Sequence, residues 1–269
     1  MSHVDPEVPN PARIYDYLLG GKNNFASDRR LADQLFLGDP YAPVSACETR
    51  AFTERSVAAV AGEGVGQFLD IGCGLPAKNS VDQIARAHVP GARVVYVDND
   101  PVVVRYMQGE LAGRDDAWVI EGDLRRPRDI LERALVRSRL DFAAPVCVVI
   151  SAVLHFVRDS EQPGEIVQVL AEALAPGSYV IISHATLDWH PEREENMGLG
   201  EDLYESASAP FRARPGAVVA GWLEGLDILP PGPVSASAWR PPAGAEDGLV
   251  VPIMAAVAVK PGPASTAAR

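Results

Sequence analysis

Residues 68–76 read Phe68-Leu69-Asp70-Ile71-Gly72-Cys73-Gly74-Leu75-Pro76. An apolar run with one acid near its end reads as a buried strand. Two glycines follow, then a helix opened by Pro76. The glycines let the backbone turn sharply and let a ligand come close to it. The N–H groups of such a turn, and the helix N-terminus after it, favour negative or lone-pair groups. Asp70, just ahead of the turn, suits a ligand with a positively charged amine.

Outward from this stretch the pattern repeats. Short β-rich runs at Gln67–Ile71, Arg93–Asp98, Trp118–Glu121, Val146–Ser151 and Tyr179–Ser183 alternate with helix-length amphipathic segments. In the helix after Pro163, the apolar Ile166, Val167, Val169, Leu170 and Leu174 share one face. Strand alternating with helix predicts a parallel sheet with helices on both faces. The last two strand candidates differ. Leu226–Leu229, continuing into Val234–Trp239, precedes Val250–Val259 with no helix between, which predicts an antiparallel pair around a long loop at Arg240–Gly248. The expected fold class is therefore α/β: a Rossmann-like, seven-stranded, mostly parallel sheet with an antiparallel last strand.

Four strand ends carry polar residues. Asp70 precedes the glycine turn at Gly72 and Gly74. Val94-Val95-Tyr96-Val97-Asp98-Asn99 ends the second strand, where an acid hydrogen-bonds both hydroxyls of a ribose. Asp123, after the third strand, could accept from an adenine amino group, with Leu124 against the ring. Ser151 and His155 follow the fourth strand. Each acid or serine alone also suits a helix N-cap. Together, at the carboxyl ends of neighbouring strands, they mark the place where open α/β sheets bind ligands.

Two cofactors compete for this pattern. Gly72-Cys73-Gly74-Leu75-Pro76-Ala77 fits the dinucleotide fingerprint, with Asp98 as its ribose acid, so an NAD-dependent enzyme is one reading. S-adenosylmethionine answers more of the residues: it has an amine for Asp70, a ribose for Asp98, and an adenine for Asp123 and Leu124, with Asn99 a further candidate contact.

Composition narrows the classes. The chain has 269 residues, 47% hydrophobic, enough for one large α/β domain. A formal charge of −12 argues against nucleic acid and anionic membrane as bulk partners. The arginines between Arg125 and Arg139 are interleaved with Asp129 and Glu132, as on a solvated helix face. Three widely spaced cysteines, with no metal-ligand spacing, predict reduced thiols and a cytoplasmic setting without a bound metal. The polar, proline-rich first residues are no signal peptide, and no apolar run is long enough to span a bilayer.

The motifs FLDIGCGLP, VVYVDNDP, EGDLRRP and VLHFVRD resemble class I S-adenosylmethionine-dependent methyltransferases. More narrowly, ARIYDYLLGGKNNFASDR, VVYVDNDPVV, LAPGSYVIIS and GLDILPPGPV resemble a family of uncharacterised actinobacterial methyltransferases, over roughly Pro9 to Pro242. In that family Asn and then Val-His-Glu follow the glycine turn. This chain has Ser80-Val81-Asp82-Gln83, with Asn79 one place early, so any substrate role of that histidine is absent. The resemblance implies methyl transfer to an acceptor that chain length and acidity make a small molecule. A protein that binds the cofactor without catalysis is the other reading, because simple methyl transfer has no obligatory catalytic residue. The resemblance also implies that residues 1–62 form a helical cover over the site, 63–260 the methyltransferase domain in one compact unit with it, and 261–269 a disordered tail.

The stretch Ala12–Phe25 then has two readings. Gly20-Gly21-Lys22 is no phosphate loop, because Asp16 and Asn23 stand where a glycine and a Ser or Thr are required. It can be a helix stop after a helix capped by Asn10 and opened by Pro11. As part of a cover, Tyr15, Lys22, Asn23 and Asn24 become candidates for the methionine carboxylate or the substrate. A second helix is expected from an N-cap at Ser27 to Gly38, and a third over Ser45–Val60. His155 and His184 are candidates for a general base, with His190 further out. Leu187–Arg214, with Trp189, Met197, Tyr204 and Phe211 among many acids, reads either as a solvated helix or as a lid over an apolar acceptor.

Overall fold

The computed structural model describes residues 4–245 and 248–262. Three helices come first: α1 (Pro11–Leu18), α2 (Ala26–Gly38) and α3 (Ala42–Gly62). Strands and helices then alternate: β1 (Gln67–Ile71), α4 (Val81–His88), β2 (Arg93–Asp98), α5 (Pro101–Glu110), β3 (Ala117–Glu121), α6 (Pro127–Glu132), α7 (Ala134–Arg139), β4 (Cys147–Ile150), α8 (Pro163–Glu172) and β5 (Tyr179–Ala185). After α9 (Glu194–Tyr204) and α10 (Gly216–Gly221) come β6 (Asp227–Ile228), β7 (Val234–Ser235) and β8 (Ile253–Val259).

The sheet runs β3-β2-β1-β4-β5-β8-β6, with β7 also on β8. β3 through β5 are parallel, and β8 is antiparallel to β5 from Tyr179↔Val259 to Ala185↔Ile253. The expected penultimate strand is two short ones, so the sheet has eight strands and not seven. Residues between Leu229 and Val234 leave the sheet at Pro230, Pro231 and Gly232, where prolines cannot donate to a ladder. Residues 246–247 of the expected long loop, and 263–269 of the expected tail, lie outside the described residues.

Strand alternation builds two cores. Leu69, Val95, Val148 and Ile182 point to one face, under α6, α7 and α8. Phe68, Val94, Val149 and Ile181 point to the other, under α3, α4 and α5. Asp70 follows Phe68 by two residues and so shares the α3 face. The chain winds from β1 outward to β3, then crosses back to place β4 on β1's other side. That reversal opens a crevice at the carboxyl ends of β1 and β4.

The helices before β1 lie over this crevice. Asn10 caps α1 by accepting from the Ala12 N–H at 2.8 Å, and Gly20 follows the helix with φ +80°, as a stop requires. α2 is capped differently from the expected Ser27: Phe25 precedes it, and the Asp28 carboxylate accepts from the Phe25 N–H at 2.7 Å. Ser27 instead donates to the Pro6 carbonyl at 2.6 Å. Arg13, 3% exposed, lies between Asp28 (3.3 Å) and Asp100 (3.7 Å) and fixes α1 to both α2 and the head of α5. The Tyr15 hydroxyl donates to the Ala46 carbonyl in α3 at 3.0 Å.

Candidate active site

A cavity of about 550 Å³ occupies the crevice, a volume within the usual range for small-ligand sites. Its floor is the carboxyl edge of β1, β2, β3 and β4. Its roof is α1, the cavity face of α3 and the end of α9.

The glycine turn is built by the neighbouring strand. The N–H groups of Gly72 and Cys73 both donate to the Val97 carbonyl, at 2.8 and 3.2 Å. Gly72 has φ +75°, and a Cβ there would lie 2.5 Å from the Val153 side chain, so the β4 loop closes on bare backbone. The Gly74 N–H donates to Asp98 Oδ2 at 3.0 Å, and the Asp100 N–H to Asp98 Oδ1 at 2.9 Å. Asp98 thus ties the first loop to the second and keeps lone pairs for further donors. Asn99 beside it is exposed and lines the cavity.

The acids differ in charge state. Asp70 is 9% exposed, lines the cavity and has no hydrogen-bond partner among the described residues. Burial raises its carboxyl to about 7; Arg50 opposes the shift and Asp98 and Asp82 add to it. Burial likewise raises Asp98 to about 6 against the hydrogen bonds from Asp100 and Gly74. Asp123 goes the other way. Partial burial is outweighed by Arg125, whose Nε and Nη2 donate at 2.8 and 2.7 Å, and its carboxyl sits below the usual range. Leu124 is buried against the same wall. Ser151 Oγ shares hydrogen bonds with Thr53 and Ser183, each 2.8 Å, fixing the β4 loop to α3 and β5.

Residues 1–261 match the family described as S-adenosyl methyltransferase (Methyltransf_19). The chain belongs to this family. A DUF574 family protein from Streptomyces avermitilis is 36% identical over 96% of this chain and 100% of its own, with a TM-score of 0.91. A candidate methyltransferase of Thermobifida fusca is 33% identical over 95% of this chain and 96% of its own, with a TM-score of 0.89. The N-methyltransferase NodS from Bradyrhizobium japonicum, in complex with S-adenosylhomocysteine, shares the fold: TM-score 0.50 at 14% identity, covering 93% of this chain and 99% of its own. No curated protein matches. The chain is an S-adenosylmethionine-dependent methyltransferase, and the NAD reading of the glycine fingerprint falls away.

Within this methyltransferase the crevice gathers Tyr15, Asp70, Gly72, Gly74, Asp98, Asn99, Asp123, Leu124, Ser151 and His155. It does not gather Lys22, Asn23 or Asn24, and their candidacy is corrected by one side chain. Asp16 Oδ2 accepts from the Asn23 N–H at 2.9 Å and from Asn24 Nδ2 at 2.8 Å, folding the loop onto α1's outer side. Lys22 is exposed. His184 is also not in the cavity lining. It is fully buried, its Nδ1 bonded to the Ala185 carbonyl and its Nε2 to Arg214 at 3.0 Å, with burial lowering it to about 4. His190 bonds Glu192 and the Val250 carbonyl outside the lining. Asp82, at the position of the family's histidine, is held by Tyr96, Arg86 and Arg114 beneath the sheet edge and not in the cavity.

Of the late segment, Met197, Tyr204 and Phe211 line the cavity, while Trp189 is exposed and does not. Arg50 is the residue that sequence reasoning missed. In α3 it falls on one helix face with Ala46, Thr49 and Thr53, and its charge acts on Asp70. Its Nη2 donates to the Lys78 and Asn79 carbonyls at 2.9 and 2.7 Å. The i, i+3, i+4, i+7 spacing of Ala46, Thr49, Arg50 and Thr53 on α3 was the available signal.

Proposed function

We propose that the crevice holds S-adenosylmethionine with its amine at Asp70, its ribose hydroxyls at Asp98, its adenine against Leu124 with Asp123 and Asn99 at the rim, and its carboxylate at Arg50. The observation that carries this is the Asp70 carboxylate. A buried acid with no partner is costly, and an ammonium group supplied by a ligand removes that cost. The series of acids at successive strand ends matches the order of amine, ribose and adenine along the cofactor. Gly72 and Gly74 let the ligand approach bare backbone. Tyr15 closes the site from α1.

The bound cofactor supplies a methyl group already activated by a sulfonium. The protein's part is to hold an acceptor in line and exclude water. The roof of α1, α3 and α9 does the excluding. Arg13, ion-paired with Asp28 and Asp100, keeps α1 in place. Residues 1–62 thus serve as a cover packed on residues 63–260 as one unit.

The acceptor in this reading is a small molecule, since the net charge of −12 and a cavity of about 550 Å³ under a helical roof suit neither nucleic acid nor a membrane surface. Among the described residues no helix is long and apolar enough to cross a membrane. Three free cysteines, one exposed, fit a reducing cytoplasm. Calorimetry tests the assignment. S-adenosylhomocysteine should bind to the wild type, NAD should not, and Asp98→Ala should weaken the first by about 1.5–3 kcal/mol. Unchanged affinity in a folded Asp98→Ala protein would reduce Asp98 to a loop cap.

A further inference from the structure

The cavity carries one corner that the cofactor's amine, ribose and adenine do not need. His155 and Phe156 enter it after β4, Tyr204 from the end of α9, and Phe211 from the loop that follows. Phe211 lies 5.1 Å from His155 and 5.5 Å from Tyr204 between ring centroids, and Phe156 lies 5.4 Å from Tyr204. Backbone bonds hold these rings in place. The Arg212 N–H donates to the His155 carbonyl at 2.8 Å, and the Arg214 N–H to the Ala185 carbonyl at 3.0 Å. The Arg214 guanidinium spans the Leu154 and Val157 carbonyls, Asp159 and His184.

The polar atoms of this corner are unspent. Tyr204's hydroxyl has no hydrogen bond among the described residues. His155 is 6% exposed; its Nδ1 is sealed without a partner, and its Nε2, which is not sealed, bonds nothing. The charges around the cavity are spent. Arg13 is paired with Asp28 and Asp100, and Arg125 with Asp123 and Glu161. Arg50, beside Asp70, is assigned to the cofactor's carboxylate. Among the described residues, each cation that lines the cavity thus already faces a carboxylate or is assigned to the cofactor, which leaves none unshared for an anionic acceptor. A cationic acceptor atom has no lone pair with which to take a methyl group.

We infer that this corner is the acceptor subsite, and that the acceptor is a neutral, planar aromatic molecule whose phenolic hydroxyl meets His155. The inference rests on the cofactor placement above and adds the substrate class to it. The hydroxyl oxygen's lone pair forms the new O–C bond. The C–S bond breaks with its electron pair left on sulfur, and the phenolic proton passes to His155 Nε2 and on to water. Burial, with His184 and Arg214 nearby, holds His155 well below its ordinary pKa, so the imidazole is neutral at pH 7 and a weak base that accepts the phenol's hydrogen bond, taking the proton only as the O–C bond forms. An aromatic amine would attack through a free lone pair without such a base; a phenol gains from one.

The test uses 2-naphthol as probe on the full chain saturated with S-adenosylhomocysteine. Calorimetry should show 2-naphthol binding, with affinity about tenfold lower in Phe211→Leu, which keeps bulk and removes the ring. 2-Naphthoate should bind at least as poorly as 2-naphthol does to that variant. The affinity for S-adenosylhomocysteine should stay within about twofold in Phe211→Leu, as for a residue outside the cofactor contacts. In the ¹⁵N spectrum of histidine-labelled protein, the Nε2 resonance lost in His155→Gln should move when 2-naphthol is added. Equal binding of naphthol to Phe211→Leu, naphthoate binding as tightly as naphthol, or no naphthol binding to the loaded protein would overturn the subsite. A bound naphthol that leaves the His155 resonance unmoved would remove His155 from it. Failure of S-adenosylhomocysteine itself to bind would sink the cofactor placement first.

Discussion

Asp70 lies beneath α3 with no hydrogen-bond partner among the described residues, and its carboxyl is raised from 3.8 to about 7 by burial. A folded pKa above the unfolded one stabilises the fold in the protonated form. That contribution is whole below about pH 4 and is lost as pH rises through about 7. Asp70→Asn should therefore raise the melting temperature of ligand-free protein at pH 8, where the wild type buries a charge. The same change should weaken S-adenosylhomocysteine more than tenfold, since the amine loses its counter-charge, about 1.5–3 kcal/mol. Wild-type affinity should fall as pH drops below 7, because Asp70 must lose a proton to receive an ammonium; a pH-independent dissociation constant between 5.5 and 8 would contradict this. Arg50→Ala should cost S-adenosylhomocysteine about 1–3 kcal/mol of binding, and Lys22→Ala nothing. The contrast shows what could be read in advance. Asp70, Gly72 and Asp98 were legible because a strand followed by a glycine turn fixes their place. Lys22, Asn23 and Asn24 lie outside the cavity lining because Asp16 folds back to take the Asn23 N–H and the Asn24 side chain, and nothing local announces that. Arg50 was one charge among several on a long helix, and only its place in the cavity wall near Asp70 makes it a candidate.

α1 is a short helix that depends on its anchors. Arg13 is buried between two carboxylates, and removing it would leave Asp28 and Asp100 uncompensated. Arg13→Ala should cost about 3–5 kcal/mol in urea unfolding, as for other broken buried ion pairs. A loss below 1 kcal/mol would show that water or a neighbouring side chain takes over. Amide exchange separates the two parts of the opening stretch. S-adenosylhomocysteine should slow exchange in α1 and along α3 but leave Lys22–Asn24 unchanged, because that loop hangs on Asp16 outside the lining. Slowing at Lys22–Asn24 equal to that in α1 would restore the loop to the site. The segment Leu187–Arg214 read equally as a solvated helix or as a lid, because its aromatic residues stand among many acids; Met197, Tyr204 and Phe211 line the cavity. The strand before β8 was not legible as two pieces, since Leu226–Leu229 and Val234–Trp239 each carry strand-like residues and the break lies in prolines that also occur at strand edges.

The whole chain is organised around the reversal between β3 and β4. Alternating strands and helices in the sequence predict the parallel sheet, and the absence of a helix before β8 predicts its antiparallel end; both are found. The roof was foreseen only through resemblance, because amphipathic helices do not say what they cover. Sheet floor and helical roof together enclose one cavity whose acids follow the order of the cofactor's groups. A crystal structure of the chain soaked or grown with S-adenosylhomocysteine tests this most directly. The account predicts the amine within hydrogen-bond reach of Asp70, both ribose hydroxyls on Asp98, and the adenine beside Leu124 and Asp123. Density for the ligand in the reverse orientation, or outside the crevice with Asp70 still unpartnered, would contradict it.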